Sequence, residues 1–302
     1  MRLRCLLPLA LLALLPASSA SAGGLPPTDQ GAGPEGVVGP GGAFRFGALA
    51  TGDGTAVTKT VIRDGRVMRA TVLQGRWTVP VVANDFTTGG LSADGSTLVL
   101  ARAASTYPVR RTTFVAFGTG RLAIRRTVDL KGKWNFDALS PDASTLYLIQ
   151  TTDARRLRYA VRAYDLRAGR LLPDPIVDPS EPDEPMRGSP MARTTSAGGR
   201  WVYTFYAGGE HPFIHALDTV RRTSLCLDLP HRAARHAWSS RLAIRGARIQ
   251  VLYRDRVIAS ASRRPQVAST GSGPPWAVAL LVASGLIAAA GVRRVVVANR
   301  PG

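Results

Sequence analysis

An internal repeat is the feature of this 302-residue chain that most restricts its fold. The two clearest copies are GLSADGSTLVLAR at residues 90–102 and ALSPDASTLYLIQ at residues 138–150. A weaker copy, TSAGGRWVYTFY, occupies residues 195–206, and more degenerate copies surround Asp53 and Gly246. A unit that recurs about every 40–50 residues indicates a repeat architecture, in which each unit buries its apolar surface against the next.

Each copy has the pattern of a strand, a polar turn and a second strand. Asp and Ser side chains bind their own backbone at such turns, and glycine supplies positive φ. A second phrase of the same pattern follows each clear copy, and Asp165 and Asp218 occupy equivalent places at its turn. Two hairpins per unit make a four-stranded blade. The sequence therefore predicts an all-β fold, a β-propeller-like domain of about five four-stranded blades, over residues 44–264.

The LSPDASTLYL phrase at residues 139–148, followed by AYDLRAGRL at 163–171, resembles the blade signature of bacterial lactonase-type and WD-like β-propellers. The resemblance covers residues 44–264 and implies the propeller fold. The same blade serves enzymes, scaffolds and binding proteins, so it implies no single function. Lactonase-type members have seven blades, whereas this span fits about five. A small ring, truncated blades or completion by a partner are the alternatives.

The two ends of the chain predict export and membrane anchoring, an arrangement similar to that of exported, membrane-anchored actinobacterial proteins. A charged start, a short apolar run and the Ala20-Ser21-Ala22 string are typical of a signal peptide. Residues 276–292 are uncharged and apolar, and two arginines follow them, which predicts a single span with the C-terminus in the cytoplasm. A buried core helix is the alternative, and no LPxTG-like string indicates attachment to the cell wall.

After signal cleavage Cys226 is the only cysteine, so the exported domain contains no intramolecular disulfide. The predicted organisation is a signal peptide at 1–22, a Gly/Pro-rich segment at 23–43, the propeller-like ectodomain at 44–264, a linker at 265–275, the transmembrane helix at 276–292 and a basic cytoplasmic tail at 293–302.

An acidic, proline-rich insertion at residues 173–190 separates the second and third clear copies. Its carboxylates have the chemistry for calcium, but their spacing matches no calcium-loop motif, and a solvated loop is the alternative. Long propeller loops shape the ligand-binding end of the ring. The sequence therefore predicts ligand-binding residues in this insertion and before a later strand, namely Asp178, Glu181, Asp183, Glu184, Arg187, Glu210 and His211. It assigns no metal ligands, no catalytic residues and no cofactor.

The chain lacks a G-x-S-x-G elbow, a Walker loop, a Rossmann glycine pattern and a Cys-x-x-Cys pair. His211 and His215 lie four apart across Pro212 in a strand-like run, which excludes a helical metalloprotease motif. His231 and His236 fall in a segment for which a solvated basic turn is expected.

The formal net charge is +19, from 39 basic and 20 acidic residues. Such an excess favours anionic partners, although an arginine-biased genome gives the same composition. The chain has no basic stripe with interleaved aromatic residues, which is the pattern that would indicate nucleic-acid binding.

The predicted function is a non-enzymatic, membrane-anchored surface propeller. It binds a peptide, glycan or envelope polymer, or it serves as an interaction scaffold for a surface protein. The alternative is an extracytoplasmic lactonase-like hydrolase, which requires Asp85, Asp137, Glu210 and His211 to converge at one channel mouth.

Overall fold

A computed structural model describes residues 36–155, 158–184, 186–208 and 211–262. These residues form five antiparallel sheets, each a meander of consecutive strands, which are called blades 1 to 5. Blade 1 contains β1 (Val37–Val38), β2 (Phe44–Thr51), β3 (Gly54–Val61) and β4 (Val67–Gln74). Blade 2 contains β5 (Trp77–Thr78), β6 (Thr97–Arg102), β7 (Arg111–Gly118) and β8 (Ala123–Lys131). Blade 3 contains β9 (Trp134–Leu139), β10 (Thr145–Asp153), β11 (Arg158–Asp165) and β12 (Arg170–Ile176).

Blade 4 contains β13 (Ser189–Thr195), β14 (Trp201–Ala207), β15 (Phe213–Asp218) and β16 (Thr223–Asp228). Blade 5 contains β17 (Ser240–Arg245), β18 (Arg248–Tyr253) and β19 (Arg256–Ser262). The predicted fold class, a β-propeller-like domain of about five blades, is confirmed. Among the described residues the fifth blade has three strands rather than four.

The turn of each clear repeat is held by one serine and one aspartate. Ser92 Oγ donates to Asp94 Oδ1 at 2.6 Å and accepts the Thr97 N–H at 3.0 Å. Ser140 Oγ donates to Asp142 at 2.7 Å and accepts the Thr145 N–H at 2.9 Å. The repeated Ser-x-Asp sequence therefore forms a turn, held by side-chain hydrogen bonds, between the first and second strands of a blade.

The apolar core lies between successive blades, which is the packing of a propeller. In β10, Leu146 and Leu148 pack with blade 2 residues, whereas Tyr147 packs with the blade 4 residues Val202 and Leu217. Neighbouring residues of one strand thus point to opposite faces, and both faces are covered by another blade. This burial explains why the second strands of the repeats are continuous apolar runs.

Two glycine–tryptophan linkers join consecutive blades. The Thr55 Oγ1 hydroxyl donates to Gly75 O at 2.8 Å and accepts the Trp77 N–H at 2.9 Å. In the next linker Thr112 Oγ1 donates to Gly132 O at 2.9 Å and accepts the Trp134 N–H at 3.0 Å. The GRW and GKW strings are a second repeat, and each fixes the first strand of the following blade.

The first strands of blades 3 and 4 are joined by a buried ion pair. Arg193 Nη2 lies 2.8 Å from Asp137 Oδ1, and both side chains are at most 4% exposed. The segment between β5 and β6 approaches the same place, since the Asp85 N–H donates to Met191 O at 3.0 Å and Asp85 Oδ2 accepts the Arg193 N–H at 3.2 Å. Blades 2, 3 and 4 therefore meet at one buried polar centre.

Three sequence expectations need correction or lie outside the structure. The insertion is shorter than predicted, because β12 extends to Ile176 and β13 begins at Ser189. The segment expected as a solvated turn is a 3-10 stretch, His231–Ser239, with Ala233 and Ala237 buried and the His236 ring stacked on Tyr253. The signal peptide and membrane span lie outside the described residues, within which no helix has the length and apolarity to cross a membrane.

Candidate functional site

One end of the blades carries the acidic insertion, now bounded as residues 177–188, and is called the insertion end. Consecutive antiparallel strands alternate in direction. The connection between the second and third strands of each blade therefore lies at this end, together with the connection to the next blade. Two cavities of about 450 Å³ each open among these connections.

The acidic cavity lies between blades 3 and 4 beneath the insertion. Strand residues form its walls, among them Tyr159, Val161, Ile176, Phe213, His215 and Cys226. Six of the seven residues that the sequence predicts as ligand-binding line it, namely Asp178, Glu181, Asp183, Glu184, Arg187 and His211. Glu210 lies outside the described residues. Their role in binding a ligand stays a prediction.

Asp178 ties the insertion to blade 4. Its Oδ2 accepts the Cys226 N–H at 2.6 Å, and its Oδ1 accepts the Ser180 N–H and hydroxyl at 2.9 and 2.6 Å. Burial alone would raise the pKa of Asp178, but the hydrogen bonds from Ser180 and Cys226 hold that pKa below its ordinary value. Asp178 is therefore an ionised carboxylate at the base of the cavity.

Further carboxylates surround the same base. Burial, followed by the charges of Glu184, Asp228 and Asp178, raises the pKa of Glu181. His211 Nε2 lies 2.9 Å from Asp228 Oδ1. The cavity therefore concentrates negative charge, although the chain as a whole is strongly basic.

Two strand residues of this cavity, the buried His215 and the half-buried Cys226, were not predicted as ligand-binding from the sequence. Burial, and then the nearby carboxylates, raise the pKa of the Cys226 thiol to about 12. Burial also lowers the pKa of His215 to about 4, so the imidazole is neutral at pH 7. Cys226 and His215 are direct cross-strand partners in β16 and β15. Only this register, together with the packing of blade 3 on blade 4, brings them to the insertion.

The ligand atoms of Asp178, Glu181 and Cys226 all lie within 4.8 Å of one another. Among the described residues this is the group whose side chains could hold a metal ion. His215 lines the same cavity, and its Nε2 is buried without a hydrogen-bond partner.

The basic cleft lies between the strands of blade 2 and the start of β9. Four cationic side chains line it: Arg102, Arg110, Arg111 and Lys133. Arg111 is held by Asp129 through a two-pronged ion pair, with Nη2 at 2.6 Å from Oδ2. Within the described part of the chain the other three cations form no ion pair, so the cleft keeps an excess of positive charge.

Asn135 borders the basic cleft, but its side chain lies on the blade 4 face of β9, the face of its cross-strand partner Ile149. It is 2% exposed, and neither its amide nitrogen nor its amide oxygen has a hydrogen-bond partner. A buried amide is almost always paired, because leaving it unpaired costs about 1–3 kcal/mol. Thr112 and Thr113 also line the cleft, and Tyr107, on the adjoining 103–110 loop, is 72% exposed.

The residues required by the hydrolase alternative do not form one group. Asp85 and Asp137 both contact Arg193 at the centre of the blades. His211 instead contacts Asp228 in the acidic cavity. Asp137 has an arginine guanidinium as its partner, and no described histidine is paired with it. Among the described residues, which do not include Glu210, Asp85, Asp137 and His211 therefore give no acid–base pair at a common channel mouth.

Comparison with protein-family models and with curated proteins finds no match. Solved structures of similar fold include TolB from Acinetobacter baumannii, with 15% identity, a TM-score of 0.36, and coverage of 63% of this chain and 42% of that one. The β-propeller domain of Myceliophteria thermophila Cps50 (Swd1) has 12% identity, a TM-score of 0.44, and coverage of 78% and 68%. An acylaminoacyl peptidase has 8% identity, a TM-score of 0.44, and coverage of 72% and 35%.

The chain thus spans less than half the length of the TolB chain. At these identities the likeness concerns the fold alone, and a propeller fold is compatible with many functions. The site must therefore be interpreted from its own residues.

Proposed function

We propose that this protein is a non-enzymatic, exported β-propeller, anchored in the membrane by residues 276–292, that binds an anionic envelope glycan in the basic cleft. The glycan carries carboxylate or phosphate groups. The observation that carries the proposal is the group of three cationic side chains without an ion-pair partner among the described residues, Arg102, Arg110 and Lys133, in a cleft of about 450 Å³.

The chemistry of the cleft matches an acidic sugar polymer at two points. Arginine guanidinium groups bind carboxylates and phosphates through two parallel hydrogen bonds. The exposed ring of Tyr107, on the adjoining loop, and the hydroxyl of Thr113 provide amphipathic and polar contacts at the rim.

The hydrolase alternative is disfavoured by the separation of its residues. In a hydrolase, the nucleophile or the general base must lie within hydrogen-bond reach of its partner residues. Asp137 is neutralised by Arg193, and His211 belongs to a different cavity. A binding function requires no such convergence.

The test is a binding titration of the full chain, purified in detergent, against four polymers at physiological ionic strength. The polymers are polygalacturonate, polyglycerol phosphate, uncharged dextran and polyglutamate. We expect one or both acidic glycan-type polymers to bind, dextran not to bind, and polyglutamate to bind at least tenfold more weakly because it lacks sugar hydroxyls.

Arg110→Glu combined with Lys133→Glu reverses two of the charges that line the cleft, and we expect it to reduce affinity at least tenfold. The control is Arg63→Glu combined with Arg66→Glu, which makes the same charge change on the β3–β4 turn at the opposite end. Equal losses from both pairs would mean nonspecific attraction and overturn the proposal.

A further inference from the structure

The base of the acidic cavity brings together residues that are distant in sequence. Asp178 and Glu181 belong to the insertion, whereas Cys226 belongs to β16. Their carboxylate oxygens and the thiol sulfur lie within 4.8 Å of one another. The spacing within the insertion matches no metal-binding motif because the third member of the group comes from another blade.

A second observation also indicates a ligand here. His215 is 3% exposed, and its Nε2 has no hydrogen-bond partner. It stands directly opposite Cys226 in the β15–β16 register, so both side chains are on the same face of blade 4. Ser224 lies two residues before Cys226 on that face, is 1% exposed, and its hydroxyl is also unpartnered.

Buried polar atoms without partners are rare and require an explanation. The His215 nitrogens are not among the ligand atoms that lie within 4.8 Å of one another, so a water bound to an ion at this base would satisfy Nε2 by a hydrogen bond. The ion offsets the charge of Asp178 and the carboxylates around it. Hydrogen bonds from Ser180 and Cys226 fix the Asp178 carboxylate, and Oδ2, which accepts a single hydrogen bond, keeps a lone pair for the metal.

We propose that a zinc-class divalent cation binds at this base through Cys226 Sγ and the carboxylates of Asp178 and Glu181, with its fourth position open to a water beside His215. A thiolate favours zinc over calcium and magnesium, which take oxygen ligands. On binding, the thiol releases its proton to solvent and the sulfur forms the bond to the metal, with no change of oxidation state.

The ion has a structural consequence. It would link the insertion, which leaves the outer strand of blade 3, to the outer strand of blade 4. The insertion thereby becomes a fixed wall of the acidic cavity. This site does not depend on glycan binding, because the basic cleft is formed by other residues.

The experiment is a titration of the full chain, stripped with chelator and kept reduced, with zinc alone and with cobalt alone. We expect one equivalent of zinc with a dissociation constant of about 1 µM or lower, given the strong binding of such ligand sets. Cobalt should give a thiolate-to-metal charge-transfer band and the intense visible bands of a tetrahedral site. These spectra need no variant, so they test the site even where a substitution unfolds the protein.

Cys226→Ser should abolish the charge-transfer band and weaken zinc binding at least 100-fold. His215→Gln should weaken zinc binding less than Cys226→Ser does and leave the charge-transfer band in place. Asp174→Asn, at an exposed position of β12 outside the lining of the acidic cavity, is the matched control and should bind like the original chain. Absence of zinc binding, a cobalt spectrum without a thiolate band, or equal binding of calcium would overturn the proposal. None of these outcomes affects the glycan titration.

Discussion

Ala143 holds a left-handed backbone conformation, with φ +54°, at the turn where the preceding repeat has Gly95 at φ +70°. A residue with a Cβ atom in this region loses roughly 1–2 kcal/mol, whereas glycine loses about 0.5–1 kcal/mol in chain entropy. We predict that Ala143→Gly raises the free energy of unfolding by about 0.5 kcal/mol, measured by urea denaturation. The control, Ala160→Gly in the middle of β11, should lower the free energy of unfolding. A loss of stability from Ala143→Gly would contradict the strain assigned to this turn.

Asp218 anchors the turn between β15 and β16, the third and fourth strands of blade 4. Burial would raise its pKa, but the Arg200 guanidinium and the Val220 and Arg221 N–H groups hold that pKa below the ordinary value of 3.8. A depressed pKa contributes stability above the unfolded-state pKa, and this contribution disappears as the pH falls through the folded-state pKa.

We therefore predict that Asp218→Asn is less stable than the original chain at pH 7. The difference between the two proteins should shrink as the pH falls below about 4. Denaturation curves at a series of pH values measure this difference. A gap that stays constant down to pH 2 would show that the aspartate charge is not what stabilises the turn.

At the scale of elements, the glycine–tryptophan linkers set the position of each following blade. Thr112 bridges Gly132 O and the Trp134 N–H, so valine at this position leaves both groups without their partner. We predict that Thr112→Val lowers the free energy of unfolding by about 1–3 kcal/mol. Thr55→Val in the preceding linker should have a similar effect. Thr127→Val, on the exposed outer strand β8, should change stability little, and a comparable loss there would contradict the linker's role.

The turns and strands could be predicted from the sequence because they are local. The turn hydrogen bonds join residues only a few positions apart, as in Ser92 with Asp94 and Ser140 with Asp142. The alternation of apolar residues is visible in each strand. The linkers were not predicted from the sequence. The GRW and GKW strings are short, and their structural role depends on hydrogen bonds to Thr55 and Thr112, about 20 residues earlier.

The binding groups could be predicted only in part, for the same physical reason. The acids of the insertion are contiguous, so they were found. Cys226 and His215 reach them only through blade packing and strand register. Arg102, Arg110 and Lys133 come from three separate segments of the chain, and nothing in the local sequence shows that they line one cleft.

At the scale of the whole molecule, the Asp137–Arg193 pair joins the first strands of two blades. Removing one member leaves the other as an unpaired buried charge, which typically costs about 3–5 kcal/mol. We predict that Arg193→Met is destabilised by this amount, and that the double variant with Asp137→Leu recovers most of the loss. Urea denaturation of both variants measures the effect. A double variant as unstable as the single one would show that the arginine acts by packing alone.

Hydrogen–deuterium exchange of the full chain, with and without a bound acidic polysaccharide, locates the glycan-binding surface. We predict new protection in residues 103–110 and 132–136, which border the basic cleft, and no change in residues 177–184 of the acidic insertion. Protection confined to the insertion, or spread over the arginine-rich surface of all five blades, would contradict glycan binding in the basic cleft.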